Sequence, residues 1–263
     1  MVVCKILHFT FLPRDPVELP RFMGSALRGI MGRQFLTHGN SGAYSELFSR
    51  VCEKSHDTPP NPYIIYHVGL TPRLAHEPLR FEVKLIGTAA RFTEDVICAL
   101  TDGCASGIAA GRHRFDLESV VEENVPIFQT ESSFSGNQIS LYFDTPLQIR
   151  TSQSGVMWKL DFELLIRNIQ RRLKLFAIVD EDEKYADELA QRAKKIQITR
   201  SDMNPYYMER WSNRTESHKS LSGLVGEVWF EGALDEFIPY LRAGSIINAG
   251  KACTMGLGHF SIN

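Results

Sequence analysis

The chain has 263 residues, enough for one large domain or two of ordinary size, and its 43% hydrophobic content suits a globular protein with a substantial core. A formal net charge of −2 speaks against a uniformly basic nucleic-acid binder, and no run of about 18 apolar residues offers a transmembrane helix. The five cysteines (Cys4, Cys52, Cys98, Cys104 and Cys253) are odd in number and form no C-x-x-C pair, which argues against a disulfide framework or zinc motif and for a reducing, cytoplasmic setting.

VVCKILHFTF (2–11) alternates like a strand and has no small-residue cleavage site behind it, so no signal peptide is expected. LPRDPVELP leads into a predicted helix over 20–37. Pro20 would sit in its first turn, and Phe22, Ala26, Ile30 and Leu36 fall near helical spacing. HGNSG (38–42) reads as the loop that stops it. YIIYHV (63–68) and RFEVKLIG (80–87) read as strands. Residues 93–108 read as a helix with Val96, Ile97, Leu100 and Cys104 inward, and HRFDLESVVE (113–122) reads as a strand. The order β-α-β-β-α-β is the ferredoxin-like pattern.

The second half repeats it. Strands are predicted near 126–131, 138–144 and 145–150. DFELLIRNIQRRLKLFAIV (161–179) is an amphipathic helix, and a second helix over 182–196 starts with acids and ends with bases, which complements its dipole. LVGEVWFEG (224–232) reads as a strand, LDEFIPYLR (234–242) as a short helix, and TMGLGHFSI (254–262) as the closing strand. The fold class is therefore α+β, two tandem ferredoxin-like (RRM-like, βαββαβ) domains. The boundary falls in ENVP (123–126), giving domains 1–124 and 125–263.

Two features point to an anionic partner. Residues 189–219 hold seven basic side chains against three acidic ones. The C-terminal stretch INAGKACTMGLGHFSIN (247–263) places Gly250, Gly256 and Gly258 around Lys251. Glycines permit positive φ or a close backbone approach, and exposed amides beside a cation can cradle a phosphate. A turn before a closing strand is the plain structural reading of the same glycines.

Four stretches in order, LPRFMGSALRGIMG (19–32), YFDTPLQIR with IQRRLKL (142–175), RWSNRTESHKSLSGLVGEV (210–228) and LRAGSIINAGKACTMGLGHF (241–260), are together similar to one family. LIGTAA…GIAAGRHRF (85–115) fits more loosely. The chain resembles the CRISPR-associated endoribonucleases of the RAMP superfamily that process precursor CRISPR RNA. The resemblance implies two ferredoxin-like domains with a glycine-rich loop before the last strand. It implies one cut in a repeat RNA stem-loop, without metal or cofactor, by attack of a 2′-hydroxyl on the adjacent phosphate. The products would be a 2′,3′-cyclic phosphate and a 5′-hydroxyl, with the processed RNA retained. Other CRISPR effector subunits are implied as further partners, and no membrane. A non-catalytic RAMP subunit that holds the RNA as a scaffold is the alternative.

Such a reaction needs a base, an acid and cations at the phosphate. On the resemblance, His38 is the first candidate for proton transfer. It reads equally as a helix-capping histidine before Gly39. Tyr44 would assist, or pack ahead of Leu47 and Phe48. Arg28, in ALRG, and Arg242 offer an arginine-based site as the alternative to His38. For RNA binding the candidates are Lys251 with Gly250, Gly256 and Gly258; Arg210, Arg214 and Lys219 in a basic loop, with Asn213, His218 and Trp211 beside them; and Arg21 and Arg171. Arg33, Arg167, Arg172 and Lys174 read first as solvated helix faces, and His259 as structural. Relatives often carry cysteines between the first helix and the Tyr-x-x-Leu-Phe-like segment. THGNSGAYSELF (37–48) has none, so no metal is carried over.

Overall fold

The computed structural model describes residues 2–16, 18–49, 59–67, 77–108, 113–130, 134, 136–151, 155–156, 158–212 and 217–263. They form two compact units, Val2–Val125 and Pro126–Asn263.

The N-terminal unit runs β1 (Val3–Pro13), α1 (Gly24–Thr37), α2 (Ser41–Phe48), β2 (Tyr63–Tyr66), β3 (Leu79–Ile86), a 3-10 turn at Gly87–Phe92, α3 (Thr93–Ser106) and β4 (Phe115–Pro126). The sheet order is β2-β3-β1-β4, with β1 antiparallel to β3 in the register Cys4–Ile86 through Phe11–Leu79. The alternation of β1 turns Leu7, Phe9 and Phe11 into the core. There Phe9, Phe11 and Phe81 stack with centroids 5.0–5.9 Å apart. The two long helices cover this face.

The C-terminal unit holds β5 (Gln138–Leu147), β6 (Arg150–Thr151), β7 (Gly155–Val156), α4 (Phe162–Leu175), α5 (Glu183–Ala193), β8 (Gln197–Ser201), β9 (Asn204–Tyr206), β10 (Glu209–Ser212), β11 (Ser217–Ser220), β12 (Gly223–Glu231), a 3-10 turn at Asp235–Phe237, α6 (Ile238–Ile247), a second 3-10 turn at Cys253–Met255 and β13 (Phe260–Ile262). Its main sheet has the order β13-β5-β12-β8, with β9 also on β12. With β5, β8, β12 and β13 as the four strands of a βαββαβ unit, this is the order of the first sheet again. The helices start at sequence-encoded caps: Asp161 accepts from the Leu164 amide and Asp182 from the Tyr185 amide. Phe162 packs on Phe230 and Phe237 over this sheet.

Several local expectations change. The first helix begins at Gly24, so Pro20 lies ahead of it. HGNSG is only partly a loop, because Ser41 opens α2 and the Asn40 side chain caps it by accepting from Ala43 N at 3.0 Å. Residues 127–130 form no strand, and 138–147 form one strand rather than two. Pro146 is accommodated where β12 bulges between Leu224 and Gly226 and beyond the pairing of β13 with β5. The closing strand is only Phe260–Ile262, because residues 253–255 form a 3-10 turn. The helix expected over 234–242 extends to Ile247. Among the described residues, no helix is long and apolar enough to cross a membrane.

Candidate functional site

His38 is the C-cap of α1. Gly39, at φ +69°, donates to Leu36 O at 3.2 Å, and Asn40 N donates to Phe35 O at 2.9 Å. Those two bonds make a Schellman closure, which fixes the turn and turns the chain sharply toward α2. Asn40 then ties the turn to α3 through its side-chain amide, 2.5 Å from Asp95 Oδ1. The His38 imidazole reaches α3 as well, with Nε2 3.2 Å from Asp102 Oδ2.

This approach depends on a glycine one residue along. A Cβ at Gly103 would lie 1.9 Å from Ile30 Cγ2, so α1 and α3 pack more closely than any larger residue allows. On the outward face of α3, Asp95, Cys98 and Asp102 lie at i, i+3 and i+7. With Phe35, His38 and Asn40 they line an open cavity of about 410 Å³. Cys98 Sγ lies 3.7 Å from Asp102 Oδ2, and burial together with the Asp102 charge pushes the thiol above its ordinary range. The sequence reading missed all of α3 as a partner of His38. The spacing of 95, 98 and 102 puts them on one helical face in the sequence, but no local signal links that face to His38.

Arg28 and Tyr44 lie elsewhere in the same unit. The Arg28 guanidinium sits 5.1 Å from the Phe48 ring centroid, and Tyr44 stacks on Phe48 at 5.4 Å and 2°. Phe48 in turn contacts the buried Tyr63. Burial drives the Tyr63 phenol far above its usual range, against the pull of nearby Arg28. The packing role weighed for Tyr44 is thus visible, and neither residue lines the cavity beside His38. Arg21 and Arg33 are exposed.

In the C-terminal unit the glycine-rich end is built inward. Gly250, Gly256 and Gly258 are buried and have φ of +86°, +89° and +68°. Their amides donate to Asn168 Oδ1, Cys253 O and Pro146 O. A Cβ at Gly258 would stand 1.7 Å from Ala249 O, and one at Gly250 2.7 Å from Gln148 O. The expectation that these glycines offer amides to a phosphate is therefore revised: their donors are used within the chain, and they let the loop press against the end of β5. The loop leaves Lys251 on its outside. Lys251 is exposed while its own amide donates to Gln148 O at 2.8 Å, and it has no ion-pair partner among the described residues. Arg242, exposed on α6, has none either. His259, by contrast, is half-buried, with Nδ1 2.8 Å from Asp144 Oδ1 and its amide on Thr145 Oγ1.

The expected basic loop is a β-hairpin of β10 and β11. Arg210 and Lys219 face each other directly across it. Arg214 and Asn213 lie outside the described residues, as does the Trp211 side chain. Part of the regional positive charge is neutralised locally, since Arg192 pairs with Glu236 and Arg200 with Asp202. Arg171 is exposed on α4. Arg167 is held by Glu163 and Asp187, and Arg172 donates to Ile247 O, so both serve the packing of α4.

Two α+β units of the same strand order, with a glycine-shaped loop ahead of the last strand, define a tandem ferredoxin-like protein. Residues 3–139 match the family model AF_1859_N, described as an N-terminal domain, and residues 141–260 match the CRISPR-associated endoribonuclease Cas6 model. The Cas6 match lies wholly within the C-terminal unit, which is thus similar to the CRISPR-associated endoribonucleases. Among solved structures it is similar to Thermus thermophilus Cas6 (TTHB231), with 12% identity, a TM-score of 0.68, and coverage of 100% of this chain and 99% of that one. It is also similar to a Cas6 (TTHA0078) product complex, with 17% identity, a TM-score of 0.59 and full coverage of both chains. A partial Cas6-RT-Cas1–Cas2 complex matches at 14% identity and a TM-score of 0.63, over 100% of this chain and 46% of that one. At these identities the structural likeness speaks for the fold. No curated protein matches the sequence.

Proposed function

We propose that the protein cuts CRISPR repeat RNA at one position without metal, by attack of the ribose 2′-hydroxyl on the neighbouring phosphate. The 2′-oxygen forms the new bond to phosphorus as the bond to the 5′-oxygen breaks. A base takes the 2′-hydroxyl proton and an acid gives one to the departing oxygen, leaving a 2′,3′-cyclic phosphate and a 5′-hydroxyl. The observation that carries this reading is His38 itself, an imidazole held 3.2 Å from a carboxylate at the edge of an open cavity. His38 serves in proton transfer and Asp102 positions its ring, as a carboxylate fixes tautomer and orientation in other acid–base dyads.

Lys251, Arg242 and the Arg210–Lys219 hairpin are assigned to RNA phosphates. Arg21, Arg171 and Arg214 remain part of the proposed RNA surface. Tyr44 and Arg28 are assigned to the packing around Phe48 that supports the unit. The substrate is a repeat stem-loop, the processed RNA stays bound, and other Cas proteins are proposed partners.

The test is a labelled repeat RNA from the neighbouring CRISPR array, incubated with protein in EDTA beside a copy with 2′-deoxyribose at the cut. Cleavage of the all-ribose RNA alone supports the reading. Tight binding without cleavage of either RNA overturns it in favour of a scaffold subunit.

A further inference from the structure

The cavity beside His38 brings together an imidazole, a thiol and a carboxylate, whose ligand atoms lie within 4.8 Å of one another. In a tetrahedral site with metal–nitrogen and metal–oxygen distances of about 2.1 Å and a metal–sulfur distance of about 2.3 Å, ligand atoms stand roughly 3.4–3.6 Å apart. Two of the three separations are 3.2 Å for His38 Nε2 to Asp102 Oδ2 and 3.7 Å for Cys98 Sγ to Asp102 Oδ2, and the imidazole–thiol separation lies within 4.8 Å. The backbone frame is also fixed, because Cys98 and Asp102 are one helical turn apart on α3 and His38 is held by its Schellman turn. All three residues are exposed and face an open cavity of about 410 Å³, so an ion has an entry path and room for a water as fourth ligand.

We infer that His38, Cys98 and Asp102 form a binding site for a zinc-class transition metal, and that its occupation arrests RNA cleavage. The donor set selects the ion: one thiol and one imidazole favour zinc or cobalt over magnesium, which takes oxygen ligands. Binding forms bonds from the metal to Nε2, Sγ and Oδ2 and releases the Cys98 thiol proton to solvent. It occupies the ring nitrogen that faces Asp102. The metal is thus an inhibitor of a reaction that needs none. The inhibitory half of the inference rests on the proposed role of His38, whereas the binding half does not.

Cobalt(II) added to the full-length protein separates the two halves. The expected result is a near-ultraviolet thiolate-to-cobalt band, absent in Cys98→Ser and retained in Cys52→Ser. Zinc should displace the cobalt and bind Cys98→Ser at least a hundredfold more weakly than wild type, beyond the roughly 10- to 100-fold effect of losing a mere supporting partner. Zinc should also stop cleavage by the wild type, reversibly with EDTA, while Cys98→Ser cuts at the normal rate in EDTA and resists zinc. Absence of the band, or its survival in Cys98→Ser, overturns the site whatever the activity does. A normal band with undiminished cleavage in zinc overturns the inhibition, and with it the assignment of His38 to the chemistry.

Discussion

Among the histidine–carboxylate pairs of the described residues, His38–Asp102 in the N-terminal unit and His259–Asp144 in the C-terminal unit are built in opposite ways. His259 and Asp144 are each about 20% exposed, and their contact is 2.8 Å. The His259 amide is held by Thr145, whose hydroxyl donates to Gly256 O, and both neighbours, Gly258 and Phe260, are buried. That histidine is woven into the frame of the glycine-rich loop. His38 is 35% exposed, makes a longer contact of 3.2 Å with Asp102, and hangs from a helix end over an open cavity. The contrast separates a histidine that holds backbone in place from one that can meet a ligand. Short contact distance alone would have ranked them the other way.

The sharpest way to break this comparison is kinetic. His38→Ala should lower the single-turnover cleavage rate by about 10²- to 10⁴-fold, the usual worth of a positioned acid or base, with little change in RNA affinity. His259→Ala should instead lower the melting temperature and change the rate by less than tenfold. The reverse pattern would move the chemistry to the C-terminal unit.

Next in size is a structural test of the loop. Gly258→Ala places a Cβ against the Ala249 carbonyl at φ +68°, so a destabilisation of about 3 kcal/mol or more is expected in denaturant titration. Gly39, at φ +69°, has nothing within 4 Å of the position a Cβ would take, so its substitution meets the backbone strain alone and should cost less. Equal effects would show that conformational strain, rather than the close approach to the loop's own backbone, decides the glycine at 258.

A smaller effect is expected at Asp102. Asp102→Asn keeps the shape of the cavity but removes the charge that orients the His38 ring. The rate should fall by about tenfold, less than for His38→Ala, and the pH–rate profile should move, which a purely structural role for Asp102 would not produce. An unchanged profile would make the 3.2 Å contact incidental.

The parts of this arrangement that were legible in the sequence are those with periodicity. The alternation in VVCKILHFTF and the apolar stripe of 161–179 identified β1 and α4, and the repeated order of elements identified both ferredoxin-like units. Strands β8, β9 and β11 carry mostly exposed, polar residues with no alternating apolar face, so the hairpin carrying Arg210 and Lys219 read as a loop. Helix α2 was hidden behind GNSG, although Asn40 is a good N-cap. His38 could be picked out by its place after a helix and by resemblance. Its partner could not, because Asp102 is brought to it by the packing of α1 on α3 at Gly103, and a glycine within a helical stretch gives no direction. The glycine-rich end misled for the related reason that glycines approaching a ligand and glycines approaching their own backbone look alike until the neighbouring atoms are known.

The smallest effect tests what that loop presents. If its glycines only shape the backbone, the contribution of the loop to RNA binding falls on the exposed Lys251 ammonium. Lys251→Ala should then weaken repeat binding modestly and uniformly across RNA sequences. It should reduce the slope of log affinity against log salt by about 0.7–0.9, the contribution of one neutralised phosphate. Stability should not change, since the Lys251 side chain has no ion-pair partner among the described residues and the backbone bond from its amide to Gln148 survives the substitution. A slope identical to wild type would remove Lys251 from the RNA surface and leave Arg242, Arg171, Arg214 and the Arg210–Lys219 hairpin as the proposed phosphate contacts of the C-terminal unit, each open to the same measurement.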